Sequence, residues 1–262
     1  MTVTAENLAG VPGVIRWLSR NADVFRLISF QPVAQVGRTE PGLGGGVSVE
    51  ALWEQIAFGF DGAGADPGRF LRGQMWVGHP DCSRYVAGVV ATEPGTPPRF
   101  HPVRTEGDPL DRRAVDGFLK RFGGISFRLD EPVKRLMRWA AVLIHAPGFV
   151  LGTLPGFLRT WLQRLSPGHS WRFGLRFLRG QAQLRGLVVI SHHFMSPDEA
   201  ISARGRDRLA LCVFHGPIEG RLLPMCEANA LGLRDQLYQG LLGRKGTAAG
   251  VLSNSQSEAL QT

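Results

Sequence analysis

Only three residues of this 262-residue chain are cysteines, Cys82, Cys212 and Cys226. Thiolates are soft ligands and nucleophiles, so these three are where chemistry is sought first. Cys212 and Cys226 stand fourteen residues apart (226 − 212) in the run Leu211–Tyr238, LCVFHGPIEGRLLPMCEANALGLRDQLY. Cys82 follows a proline in His79-Pro80-Asp81-Cys82, a turn that presents a side chain clear of any strand. Three thiolates from two turns suit an iron–sulfur cluster with an open or non-cysteine fourth position, or zinc completed by a histidine. His79, His192, His193 and His215 are the candidate fourth ligands. No two cysteines have the close spacing of a metal-binding knuckle, and free cysteine is often a small buried hydrophobe, so ligand and structural thiol both stay open. Cys82 near His79 also has the residue types of an activated thiol, without a third group to orient them. His192-His193 sits where a strand ends, the place where sites gather in α/β folds, and in extended chain the two rings face opposite ways. There is no serine elbow, no HExxH helix, no zinc-finger spacing and no nucleic-acid signature beyond charge.

The elements that must position these residues follow from patterning. Val14, Ile15, Trp17 and Leu18 mark an amphipathic helix. The apolar run Val24–Ala34 reads as a buried parallel strand. A glycine-rich connection over 37–47 fits neither phosphate-binding fingerprint, and Ser48 caps a helix beginning at Val49. Residues 59–72 read as a surface loop, Met75–Ala91 as two short strands around a turn at Gly78–Ser83, and Thr92–Pro109 as a polar, proline-rich loop. Asp111–Phe122 has helical spacing with Val115, Phe118 and Leu119 inward and a stop at Gly123-Gly124. Basic amphipathic helices follow over Val133–Ile144, Pro155–Leu165 and Trp171–Phe177. A strand runs from Leu187 into the histidine pair, and Ser196-Pro197 opens a short helix. Leu209–Phe214 then reads as a strand, Ile218–Arg221 as a turn, Leu222–Met225 as the return and Ala228–Tyr238 as a helix.

The expected fold class is therefore α/β: a partial (β/α) barrel half on the N-terminal side, then an α+β C-terminal lobe with basic amphipathic helices. Its expected division is 1–92, a barrel portion bearing the Cys82 turn; 93–180, a basic helical region; 181–243, a strand-turn-helix lobe; and 244–262, a disordered tail of small polar residues. Hydrophobic content of 44% supports a real core, and 30 Lys+Arg against 22 Asp+Glu give a net charge of +8 that favours anionic partners. The odd cysteine count argues against a secreted disulfide framework, and the most apolar stretch, Trp139–Leu158, is interrupted by prolines, glycines and His145. A cytoplasmic protein, with contact at a membrane surface left open, is the expectation.

Two sets of residues resemble a known family. The strand and loop Phe25-Arg-Leu-Ile-Ser-Phe-Gln-Pro-Val-Ala-Gln-Val-Gly-Arg is similar to the later part of a radical S-adenosylmethionine (SAM) domain. His79-Pro80-Asp81-Cys82-Ser83, with Cys212-Val-Phe-His and Pro224-Met-Cys226-Glu-Ala-Asn229, resembles the C-terminal region of the subgroup that includes tetraether lipid synthase-like and pterin-methylating proteins. The chain lacks the CxxxCxxC motif by which members bind the SAM-cleaving cluster. The resemblance therefore implies the C-terminal portion of such an enzyme, from a truncated gene, a late start codon or a split enzyme, and not catalytic alone. Gln31 would face the SAM side of the barrel, and Cys82, Cys212 and Cys226, with His79, would be candidate ligands of an auxiliary iron–sulfur cluster. SAM would bind only with a missing N-terminal half, the implied partner, and the substrate would be lipid-like or otherwise apolar. The competing expectation is a non-catalytic accessory module whose basic helices dock on an anionic membrane or a partner protein, with no specific nucleic acid involved.

Overall fold

A computed structural model describes residues 1–34, 36, 44–61, 67–123, 132–165, 170–218 and 220–240. The glycine-rich 37–43, the stop at Gly124 and the expected disordered tail 244–262 lie outside the described residues. The elements run β1 (Thr2–Val3), α1 (Val11–Arg20), β2 (Leu27–Pro32), α2 (Val49–Asp61), α3 (Pro67–Leu71), β3 (Met75–Trp76), β4 (Ser83–Thr92) and β5 (Arg99–Pro102). Next come α4 (Pro109–Asp111), a π-turn over Arg112–Asp116, α5 (Gly117–Phe122), α6 (Pro132–His145), a second π-turn over Phe149–Thr153, α7 (Leu154–Leu165) and α8 (Ser170–Leu178). The last are β6 (Gln183–His192), α9 (Pro197–Ile201), α10 (Ala203–Ala210), β7 (His215–Ile218), β8 (Arg221–Pro224) and α11 (Met225–Ala230).

Six strands form one mixed sheet in the order β1-β2-β6-β4-β3, with β5 also on β4. The β1, β2 and β6 strands run parallel, while β4 lies antiparallel to β6 from Ser83↔His192 to Thr92↔Gln183. The α/β class is thus present as a mixed sheet without a closed barrel, and its central strand β6 comes from the far end of the chain. Val86 and Val90 of β4, Leu187 and Val189 of β6 and Phe30 of β2 alternate onto one face. They meet Ile15 and Leu18 of α1 and Leu52, Trp53, Ile56 and Phe60 of α2 in the main core. Burying each such large apolar side chain contributes roughly 1.5–3 kcal/mol. Phe60 and Phe100 stack with centroids 4.3 Å apart, and Gly88 of β4 is the floor beneath them: a Cβ there would lie 2.2 Å from Phe100 Cζ. The opposite face offers Val89, Ala91 and Leu184 to Trp161 and Leu165 of α7 and Phe173 of α8. The result is helix, sheet, helix in three layers.

Most of the patterned elements stand where the spacing put them, down to Ser48, whose Oγ accepts from Ala51 N–H at 3.1 Å, and Ser196, which accepts from Glu199 N–H at 3.3 Å. Several differ. Within 59–72, α2 continues to Asp61 and Pro67 starts α3, because Phe60 and Phe70 are drawn fully into the core. The stretch 92–109 contains β5, an edge strand that pairs Arg99–Pro102 with Gly88–Ala91. Leu209–Phe214 is not a strand. Ser202 caps α10 by accepting from Gly205 N–H, the helix absorbs Leu209 and Ala210, and pairing begins only at His215. The final helix is broken at Leu231-Gly232, where Gly232 has φ +69° and allows the chain to restart over 233–240.

Candidate functional site

The site is assembled at the end of β6 and the start of β4. In β6 the alternation places His192 on the face of Ser83 and His193 on the face of Ser191. Ser83 Oγ and His192 Nδ1 share a hydrogen bond of 2.6 Å, and the His192 and Phe214 rings stand perpendicular with centroids 5.5 Å apart. His193 Nε2 lies 3.2 Å from Ser191 Oγ, which also accepts from Trp53 Nε1 at 2.9 Å. Burial, then the nearby guanidinium groups of Arg208 and Arg84, push the His193 imidazole down to about 4. Burial also lowers His192. Both rings are therefore neutral near pH 7, the form in which imidazole can act as a ligand.

The cysteine turn is held by backbone. Cys82 N–H donates to His79 O at 2.9 Å, and His193 N–H donates to Cys82 O at 2.9 Å, which fixes the turn to the end of β6. Gly78, at φ +71°, lets this turn approach the other cysteine segment, since a Cβ there would fall 2.5 Å from Leu211 O. Cys212 follows α10 and donates to Phe214 O at 3.2 Å, and Cys226 is the second residue of α11. The three cysteines and both histidines, with Ser83, Phe194, Phe214 and Met225, border one cavity of about 220 Å³. Burial raises the Cys82 and Cys226 thiols, against the lowering pull of Arg208 on Cys82 and of a Met195 backbone hydrogen bond on Cys226. Among the described residues, no group of three or more His, Cys, Asp or Glu side chains is arranged around a single metal-ion position.

Arg208 ties the site together. At 4% exposure it donates from Nε to Cys82 Sγ at 3.3 Å, from Nη2 to His193 O at 2.7 Å and Asp81 O at 3.2 Å, and from Nη1 to the Glu199 carboxylate. One buried cation thus joins the Cys82 turn, the end of β6, α9 and α10. Asp81 accepts from Arg84 at 3.2 Å and Arg204 at 2.8 Å; burial would raise its carboxyl, and these arginines hold it below its ordinary value.

No family model and no curated protein matches the chain. Cys82, Cys212 and Cys226, all named from residue type, share the cavity. Of the four candidate histidines, His192 and His193 border it. His79 does not: its Nδ1 accepts from Asp81 N–H at 3.1 Å and its Nε2 lies 3.4 Å from the Asp207 carboxylate. His215 is exposed on β7. Gln31 lies one step beyond the Phe30↔Ser191 pair at the same end of the sheet, half-buried and outside the cavity lining. Ser83 and Phe214 stood out in the sequence only as members of the Cys82 and Cys212 motifs, and Arg208 carried no signal, because only the tertiary fold brings the three to Cys82 and His192.

A second cavity of about 280 Å³ lies under the other helical layer, between β3–β4 and α5–α7. Met75, Tyr85, Ala87, Phe118, Phe149 and Phe157 are among its walls, and no charged side chain lines it. A shallower pocket sharing Met75, Tyr85 and Leu119 carries Arg104 and Asp116, whose ion pair is 3.0 Å long. No helix among the described residues is long and apolar enough to cross a membrane.

Proposed function

We propose that this chain is the C-terminal portion or subunit of a radical SAM iron–sulfur enzyme, and that Cys82, Cys212 and Cys226 hold an auxiliary cluster, with the imidazole of His192 or His193 at hand for a fourth position. The observation that carries the reading is that the chain's three cysteines, far apart in sequence, border one cavity. Three thiols on a largely apolar cavity wall form a soft donor set suited to iron–sulfur. When bound, such a cluster supplies one-electron transfer or an iron site for a substrate atom. The protein's own part is to gather the thiols and to set Arg208 beside Cys82, where a fixed positive charge offsets the negative charge of a thiolate. The apolar cavity near Tyr85 supports an apolar substrate; on this reading SAM would be brought by a separate N-terminal half.

Anaerobic reconstitution with iron and sulfide is the test. The expected product is brown, with broad visible absorption and bound iron that falls sharply in Cys82→Ala, Cys212→Ala and Cys226→Ala, each checked for folding by circular dichroism. A colourless, iron-free protein that is otherwise folded rejects the reading. Because ligation deprotonates thiols that burial keeps protonated, loading should also release protons in unbuffered solution.

A further inference from the structure

We propose that the helical layer α6–α8 is a docking surface for an anionic lipid bilayer. The charge balance makes the first argument. Residues 132–180 hold eight Lys and Arg (134, 135, 138, 159, 164, 172, 176 and 179) and no Asp or Glu. With 30 basic and 22 acidic residues in the whole chain, the remainder is balanced at 22 and 22 (30 − 8 against 22), so the entire +8 surplus comes from this one segment. Arg164 and Arg176 are partly turned to structure, through Asp108 and Asp111 and through Glu93. Arg159, Arg172 and Arg179 are exposed.

Exposed apolar side chains stand on the same helices. A helix covering a core normally shows water a polar face. Here the inner faces are already satisfied, with Val142, Ala146 and Phe149 in one cluster and Trp161, Leu165 and Phe173 in another. Apolar stripes nevertheless run along the outside. In α6, Met137, Ala140, Ala141 and Ile144 recur at i, i+3, i+4 and i+7, and all are exposed. In the second π-turn and α7, Leu151, Pro155, Leu158 and Leu162 recur at i, i+4, i+7 and i+11, again exposed. In α8, Leu175, Phe177 and Leu178 are exposed beside Arg172, Arg176 and Arg179. Ile144 and Leu151 are each 73% exposed and Leu178 is 82% exposed.

Apolar stripes combined with basic side chains are what a helix lying in a membrane interface requires: the apolar residues enter the acyl boundary and the arginines meet anionic head groups. The same arrangement disfavours a second copy of this chain as the occupant, because an isologous contact would bring two such basic segments together. The inference stands apart from the cluster reading, since the surface is formed by segments that contribute none of the three cysteines.

Co-sedimentation of the full chain, without iron, tests it with vesicles of phosphatidylcholine containing phosphatidylglycerol and with vesicles of phosphatidylcholine alone. The expected result is pelleting with the anionic vesicles at low salt, much less with neutral vesicles, and loss at high salt as screening grows. Arg159→Gln and Arg179→Gln should each weaken partition about fivefold. Leu151→Glu with Leu158→Glu, both at exposed positions, should abolish pelleting while circular dichroism and thermal unfolding stay unchanged. Equal pelleting with neutral vesicles, or pelleting indifferent to the leucine pair, overturns the proposal. So does a dimer in light scattering that the leucine pair dissociates, without vesicle binding, since the face would then belong to a second copy.

Discussion

Arg208 is the residue on which the cysteine site most depends. Its guanidinium reaches a thiol, two backbone carbonyls and a carboxylate at once, so its removal leaves several buried acceptors without a donor. Arg208→Ala should cost about 3–5 kcal/mol, the range for breaking a buried pair from one side. Urea denaturation should show this as a lower midpoint with little change in slope. Glu199→Gln keeps a hydrogen-bond acceptor for Arg208 Nη1 and should cost less. His193 supplies a pH dependence whose sign is fixed by its environment. Its folded pKa of about 4 lies below the ordinary 6.5, so as pH falls the unfolded chain takes up a proton before the folded one does. The contribution of neutral His193 is therefore complete above about pH 6.5 and is lost toward pH 4, a total of about 3 kcal/mol. Asp81, held below its usual range, loses its contribution over an acidic window too. The unfolding free energy measured from pH 7 to pH 4 should fall steeply in the wild type and less steeply in His193→Gln.

At the scale of elements, α9 and α10 place Arg208, and they meet at Gly205. A Cβ on Gly205 would lie 1.8 Å from Glu199 O, a backbone atom that cannot swing aside. Gly205→Ala should thus cost about 3 kcal/mol, the upper part of the range for overpacking, and should lower reconstituted iron content by displacing Arg208 three residues on. Thermal unfolding and iron analysis check the two effects separately. What sequence pattern could reveal divides along this line. The strands β2 and β6 were legible because their apolar runs have strand length, and α2 and α9 because Ser48 and Ser196 cap them. The α10 helix was not: Arg208-Leu-Ala-Leu-Cys-Val-Phe214 is a short apolar run that periodicity cannot assign, and its fate is decided by the Ser202 cap and by close packing on α9. In the site, the cysteines and the strand-end histidines were legible from type and position, whereas the choice of His192 and His193 over His79 at the cavity depends on where the Gly78 turn lands.

At the scale of the molecule, the sheet is completed by its last long strand. Before β6 is made, β2 and β4 have no contact through backbone hydrogen bonding, yet in the fold β6 lies between them, paired with Leu27–Phe30 on one side and with Ser83–Thr92 on the other. Leu187 and Val189 of β6 also sit fully buried in the main core beside Ile15, Trp53 and Phe60. A boundary near residue 180, natural from composition, would therefore cut through the sheet. A chain ending at residue 180 would leave the inner edges of β2 and β4 with unpaired N–H and C=O groups and a gap in the core where β6 had been. Each buried backbone group left without a partner costs about 1–3 kcal/mol, and only a few such losses exceed the net stability of a typical domain. The expected outcome is that this shortened chain shows no cooperative thermal transition and aggregates through its exposed strand edges. In the full chain, Trp fluorescence, which senses Trp53 in the core, should lose its native signal at the same urea concentration that makes Cys226 accessible to alkylation. Two separated transitions would instead assign the β7–α11 segment its own stability and confine the sheet's cooperativity to β1–β6.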